Sequence, residues 1–210
     1  MTTLNCARTI APLMFQHSQT PMSTKVEATI EDLYKVEYEG KAELVNGEIV
    51  LMPLTGGLPH LVALQITLSL AAYAKTIRKG YAIGDSAAFV VNLPHRKSFS
   101  PDAAFYIGEA TMKFFQGAPV FAVEVRSEND YGPRAERRMA MKRADYFAAG
   151  TLVVWDVDLL GDDVVRVYRT NDPERATVYR RGDIAEAEPA VPGWTMGVDD
   201  LFPEESHTPS

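Results

Sequence analysis

Three residues in this chain have the types and order that divalent-metal chemistry uses: Asp102, Glu124 and Lys142. Asp102 follows Pro101 and opens the strand-like run Ala103-Ala-Phe-Tyr-Ile107. Glu124 lies near the end of the apolar run Phe121-Ala-Val-Glu-Val125. A carboxylate there is costly unless something compensates its charge. Burial raises its pKa, whereas a bound cation or a nearby Lys or Arg keeps it ionised. Two adjacent strands ending in carboxylates can present both to one hard cation, which takes oxygen ligands. Each residue also has a plainer reading. Asp102 fits a solvated turn, Glu124 a salt bridge to Arg126 or a strand end in water, and Lys142 a snorkelling helix edge. Lys142 falls at the margin of the stripe Ala135, Met139, Tyr146, Gly150, and Arg143 sits nearer its middle, so periodicity leaves the inward residue open.

The elements that must position these groups can be read from the surrounding sequence. Thr29 before Glu31 and Asp32 starts a short helix ending near Tyr38–Gly40. Two apolar runs flank Asn46-Gly47 between Glu43 and Met52, which predicts a hairpin with a type I′ turn. Pro59 to Lys79 reads as a long helix with Leu61, Leu64, Leu68 and Ala71 or Ala72 on one face, ended by Gly80. Tyr81–Leu93 and Phe99–Ile107 read as strands around a polar turn at Pro94–Ser98. Val120–Val125 and Leu152–Val157 are apolar enough to be central strands buried on both faces. Between them a helix spans about Pro133 to Ala149, closed by Gly150, and Val164–Arg169 with Ala176–Arg180 forms a closing hairpin. This order predicts an α/β domain with a central mixed sheet flanked by helices and an N-terminal β-hairpin.

Composition agrees with one domain. The 210 residues are 46% hydrophobic and 23% charged, as in globular proteins. The expected division is a flexible leader over 1–25, the domain over 26–202 and a flexible tail over 203–210, with Met22 an alternative start. The single cysteine, Cys6, excludes an internal disulfide and a cysteine-built zinc site, and a reducing, cytoplasmic setting is expected. No apolar run is expected to reach the roughly 18 residues of a bilayer span, so no membrane is expected. The net charge of −7 argues against a simple nucleic-acid binder. However, Arg126, Arg134, Arg137, Arg138, Lys142 and Arg143 crowd together, as either a basic patch or a solvated helix face.

The combined order narrows these readings. Ser100-Pro-Asp102, Phe121-Ala-Val-Glu124-Val-Arg-Ser127, Lys142-x-x-x-Tyr146-x-x-x-Gly150 and Val153-Val-Trp-Asp156 together resemble the Uma-type proteins of the restriction-endonuclease-like PD-(D/E)XK superfamily. Glu43-Leu-Val-Asn-Gly47-Glu-Ile-Val, Met52-Pro53 and His60 match the same family's opening hairpin and helix. The resemblance covers roughly residues 27 to 170 and implies a restriction-endonuclease-like fold. It also implies a Mg²⁺-dependent endonuclease, with Mn²⁺ as substitute, that acts on nucleic acid and most of all DNA. By the same resemblance Asp102 and Glu124 are metal ligands, with the Val125 carbonyl a further one. Lys142 is the superfamily lysine, moved from the strand to the following helix, and Glu43 and His60 line the cleft, Glu43 as a catalytic acid in direct or outer-shell contact with the metal and His60 on the substrate. Arg126 and Arg138 are expected on the substrate. The sequence departs from the pattern at Arg126, where an aliphatic residue would be unremarkable, and after Ser127, where a proline is missing. The alternatives are a non-catalytic nucleic-acid-binding or assembly protein on the same fold, and a hydrolase of some other phosphate ester. A homodimer through the hairpin or the Gly193–Met196 region is a further expectation.

Overall fold

The computed structural model describes residues 27–36 and 41–203. The leader expected over 1–25 and all but the first residue of the expected tail lie outside the described residues. So does the segment from 37 to 40, where the first helix was expected to end.

Helix α1 (Ile30–Tyr34) is a single turn closed by a reciprocal capping box between Thr29 and Asp32. Strands β1 (Ala42–Val45) and β2 (Glu48–Leu51) form the expected hairpin, with Asn46 and Gly47 both at positive φ (52° and 69°). Helix α2 (Gly57–Ile77) follows, and Arg78 takes the left-handed cap position that was expected of Gly80. The run Tyr81–Leu93 divides into β3 (Tyr81–Ile83) and β4 (Phe89–Val90), because an Asp85-Ser86 turn with Ser86 at φ 68° interrupts it. The run Phe99–Ile107 divides into β5 (Ser98–Phe99) and β6 (Ala103–Tyr106) at Pro101, which has no N–H to give a ladder. Beyond these lie β7 (Phe115–Gln116), β8 (Phe121–Val125), α3 (Pro133–Ala148), β9 (Val153–Val157), β10 (Val165–Arg169) and β11 (Asp172–Tyr179). A final hairpin, β12 (Ile184–Glu186) with β13 (Thr195–Gly197), and a 3₁₀ turn (Asp199–Leu201) complete the domain. The short strands β7, β12 and β13 were not expected, being too brief to show alternation.

The main sheet has the order β11-β10-β9-β8-β6-β3, with β8 and β9 parallel and the other pairs antiparallel. Alternation along the central strands decides which side chain meets which helix. Phe121, Val123, Val125, Val153, Trp155 and Val157 share a buried cluster with Val62, Ile66 and Leu70 of α2. On the other face Ala122 and Val154 pack with Tyr146 of α3 and with Phe89 and Phe99 of the small β5-β4-β7 sheet. Each fully buried aliphatic or phenyl side chain contributes about 1.5–3 kcal/mol. Glu124 and Asp156 occupy this second face, side by side in register on β8 and β9.

The structure selects the inward face of α2 and corrects one expectation for it. Leu61, Leu64 and Leu68, whose helical spacing marked the helix, are 41%, 43% and 55% exposed, whereas Val62, Ala63, Ile66 and Leu70 are buried. The helix is apolar on nearly all sides, so its period could not select the inward face. Its 21 residues, with mean hydropathy 1.3 over the best window, are also long and apolar enough to cross a membrane. An apolar run of that length was not expected. In this structure α2 packs on β3, β6 and β8.

Candidate active site

Four elements converge on one cluster of charged side chains. Strand β1 lies along residues 95–98: Lys97 N donates to Leu44 O (2.8 Å), Leu44 N to Ser98 Oγ (2.8 Å) and Asn46 N to His95 O (2.6 Å). This docking drives Glu43 inward until it is 1% exposed. The segment Ser100-Pro101-Asp102 carries the chain from the small sheet to the main one, and Asp102 N donates to Val123 O (3.0 Å) as the first rung beside β8. That rung places Asp102 next to Glu124. Helix α3 lies over the same face and supplies Lys142 and Tyr146.

The geometry is closely tied. Lys142 Nζ lies 2.8 Å from Glu124 Oε2 and 3.0 Å from Glu43 Oε1. The hydroxyl of Tyr146 donates to Glu124 Oε1 (2.7 Å), and its ring stacks on Phe99 with centroids 4.1 Å apart. Val125 N donates to Asp102 Oδ2 (2.7 Å), while Lys41 Nζ holds Asp102 Oδ1 and lies 3.0 Å from Asp85 Oδ1. Glu43 also accepts from Ser100 N (2.9 Å) and pairs with Arg96, which bonds Asp145 (2.8 Å) in turn. His95 Nε2 closes the chain on Asp145 at 2.7 Å.

Burial and charge set the protonation states. Burial pushes the Glu124 carboxyl above its usual range; Lys142 opposes that shift, and Asp102 adds to it. Burial penalises charged Lys142 too, but Glu124 and Glu43 outweigh the penalty and hold its pKa above the ordinary lysine value. For Glu43, Lys142 and Arg96 overcome desolvation and lower the pKa. Burial and the same two glutamates raise Tyr146 well above the ordinary phenol value, so it stays a donor.

Whether these residues suit a divalent cation can be judged from the donor set. Among the described residues no three acidic, histidine or cysteine side chains form a metal cage on their own. Yet two ion-pair groups, Lys41 with Asp85 and Asp102, and Lys142 and Arg96 with Glu43, Glu124 and Asp145, meet where Val125 N bonds Asp102 beside Glu124, and together they set five carboxylates against three Lys and Arg cations. The excess matches the charge of one divalent ion. The Glu124 side chain keeps 22% of its surface exposed, and Ser100 Oγ is buried without a partner on the adjacent crossing. Mg²⁺ keeps several of its waters and takes only one or two carboxylates, so the site suits such an ion.

The other expected site residues are placed differently. His60 is exposed on the first turn of α2, and its side chain makes no hydrogen bond or ion pair to the cluster among the described residues. Arg126, expected on substrate, is 3% exposed in its side chain and gives four N–H bonds to Asp156 and Glu136. Its unusual charge is thereby explained: it neutralises the buried Asp156 of the neighbouring strand. Arg143 serves the same carboxylate at 4.0 Å and covers the Tyr168 ring. Lys142 and Arg143 thus both turn inward, each toward one of the two in-register acids. Arg138 is exposed and bonds Asp130 (2.9 Å). In place of the missing proline, Ser127 bonds Asp130 through N and Oγ (3.0 and 2.7 Å). A groove of about 500 Å³ between α2 and the β12–β13 hairpin contains none of these residues.

Lys41, Arg96 and Asp145 were not picked out from the sequence. Lys41 stands two residues before Glu43 at the foot of the same hairpin, which was an available signal. Arg96 and Asp145 depend on long-range packing and left none.

Comparison with known proteins agrees with this architecture. The fold is similar to the crystal structure of a "putative nuclease belonging to DUF820" from Anabaena variabilis, with a TM-score of 0.66 and 20% sequence identity over 83% of this chain and 97% of that one. At that identity the likeness is one of fold. No curated protein matches the sequence. The profile of the Uma2 family, described as "Putative restriction endonuclease", matches residues 28–199, from just before the α1 cap to the 3₁₀ turn. Since that match takes in every strand of the sheet and all four arms of the charged cluster, the chain belongs to the Uma2 family.

Proposed function

We propose that this chain is a divalent-metal-dependent endonuclease that hydrolyses phosphodiester bonds of DNA, with Mg²⁺ as its cofactor and Mn²⁺ as a substitute. The observation that carries the reading is the placement of Asp102 beside Glu124, through the Asp102 N–Val123 O and Val125 N–Asp102 Oδ2 bonds, with protonated Lys142 on Glu124. Asp102 and Glu124 would hold the cation, with the Val125 carbonyl as a further oxygen. Bound there, it supplies polarisation of the phosphodiester and a water of lowered pKa.

The remaining work falls to the chain's own groups. Lys142, kept protonated by two glutamates, offers a fixed positive charge to the oxygens on which the phosphorane charge builds. Tyr146 fixes the orientation of Glu124 through its hydroxyl. Glu43 is a positioning residue that anchors Lys142 to Ser100 N and Arg96. Lys142 and Tyr146, with their raised pKa values, are donors rather than bases at neutral pH.

The test is an assay of single-stranded, duplex and branched DNA, and of RNA, with Mg²⁺, Mn²⁺ or EDTA. Cleavage that needs the cation and is abolished in Asp102→Ala and Glu124→Gln is the expected result. A second reading, a nucleic-acid-binding protein without turnover, draws support from the carboxylate oxygens themselves. Those of Asp102, Glu124 and Glu43 are all already engaged by protein donors. Binding without cleavage under every condition would establish that reading in place of the first.

A further inference from the structure

The oxygens of Asp102 are unequal. Oδ2 is held by Val125 N at 2.7 Å, a bond that also aligns the carboxylate with β8. Oδ1 is held by Lys41 alone among the described partners. A cation approaching Asp102 therefore meets an oxygen already taken by an ammonium. Lys41 has a second carboxylate within reach, since its Nζ lies 3.0 Å from Asp85 Oδ1. Asp85 is fixed for this by Ser86 N, which donates to the same Oδ1 at 2.8 Å. Its side chain is 23% exposed against 11% for Asp102, so it loses less hydration when it shares the ammonium. Lysine suits such a transfer, being a compact charge with three donors on a flexible stem.

We propose that Lys41 is an exchangeable counter-cation of the site: it neutralises Asp102 while no metal is bound and passes to Asp85 when a divalent ion takes Asp102 Oδ1. The proposal rests on the metal reading given above. It adds a residue that sets how tightly the site holds its ion, together with the acid that receives that residue. Lys41 thereby gives Asp102 a counter-charge of its own, as Lys142 does Glu124, at the cost of competing with the metal. The groups facing it are Asp85 on the β3–β4 turn, Asp102 and Glu124 on the sheet, and Lys142 on α3.

Mn²⁺ binding to the full chain, followed by titration calorimetry and by the spin-resonance signal of free Mn²⁺, tests this without any nuclease assay. Lys41→Met should bind Mn²⁺ about tenfold more tightly than the wild type, since one opposing charge near the ion is gone. Asp85→Asn should bind more weakly, because Lys41 then has only Asp102. In the double variant the Asp85 effect should vanish. If the wild type binds and Lys41→Met is no tighter, or if the Asp85 effect survives without Lys41, the proposal is overturned while the metal site stands. If no variant binds Mn²⁺ and Asp102→Asn behaves like the wild type, the metal reading itself falls and takes this one with it. Should Lys41→Met fail to fold, as a thermal melt in EDTA would show, Lys41→Gln takes its place alone and with Asp85→Asn: tighter binding with no remaining Asp85 effect supports the exchange, and any other result refutes it.

Discussion

Glu124 is asked to do two things that conflict. It sits on an apolar strand under a helix, and on the proposed function it must also stay ionised to hold a cation. Burial raises its pKa above the ordinary 4.5, and neighbouring Asp102 adds to the shift while Lys142 opposes it. Below that raised value the carboxyl carries a proton, which an incoming ion must displace. Mn²⁺ affinity should therefore climb as pH rises past the raised Glu124 pKa and then level off, and calorimetry over a pH series upward from the ordinary carboxylate range would show it. An affinity indifferent to pH throughout the range in which the protein stays folded would mean that Glu124 is not a ligand. At the neighbouring register position Asp156 solves the same problem with internal cations, Arg126 and Arg143. Arg126→Met should leave that acid buried without its main partner and cost about 3 kcal/mol or more in urea unfolding. A loss near zero would show that Asp156 does not depend on Arg126 as its partner.

Among the elements, α2 and α3 pose opposite problems of legibility. In α2 both flanks are apolar, and the structure buries Ile66 while leaving Leu64 43% exposed. Ile66→Ala should cost about 2–4 kcal/mol, as for other buried large-to-small changes. Leu64→Ala should cost a small fraction of that, and comparable midpoint shifts for the two in denaturant would contradict the assigned phase. Helix α3 is charged on nearly every side, so the amphipathic pattern that placed its ends could not tell Lys142 from Arg143. The structure answers that both turn inward, because two acids lie side by side beneath them. The hairpin at Asn46-Gly47 and the strands β8 and β9 were legible because turn chemistry and unbroken apolar runs are local signals. The division at Pro101 was less so. That residue ends one strand's pairing and lets the chain cross to a second sheet, and only the sheet order reveals why Asp102 stands beside Glu124. Arg96 and Asp145 entered the site through packing between segments far apart in sequence, and a single chain read along its length carries no mark of that.

At the scale of the whole molecule, the net charge of −7 must be reconciled with a polyanionic substrate. The basic cluster seen in the sequence divides in the structure into two populations. Arg126, Lys142 and Arg143 turn inward onto the protein's own carboxylates. Arg134, Arg137 and Arg138 remain exposed on the first turns of α3, whose N-terminus adds its own positive dipole end. Arg138 is already partly neutralised by Asp130. On the proposed function, the phosphate backbone should be steered by Arg134 and Arg137, on the helix whose next turns carry Lys142. Replacing both by Glu should weaken duplex binding at every sequence alike and reduce the slope of log affinity against log salt by about 2, close to one released counterion per lost contact. Mn²⁺ binding should not change, because neither arginine touches the metal-site network. That pair of readouts separates a surface that recruits nucleic acid from a site that acts on it. If the double variant binds duplex with the wild-type slope, the face of approach lies elsewhere on the molecule, and the overall negative charge would then weigh against DNA as the substrate.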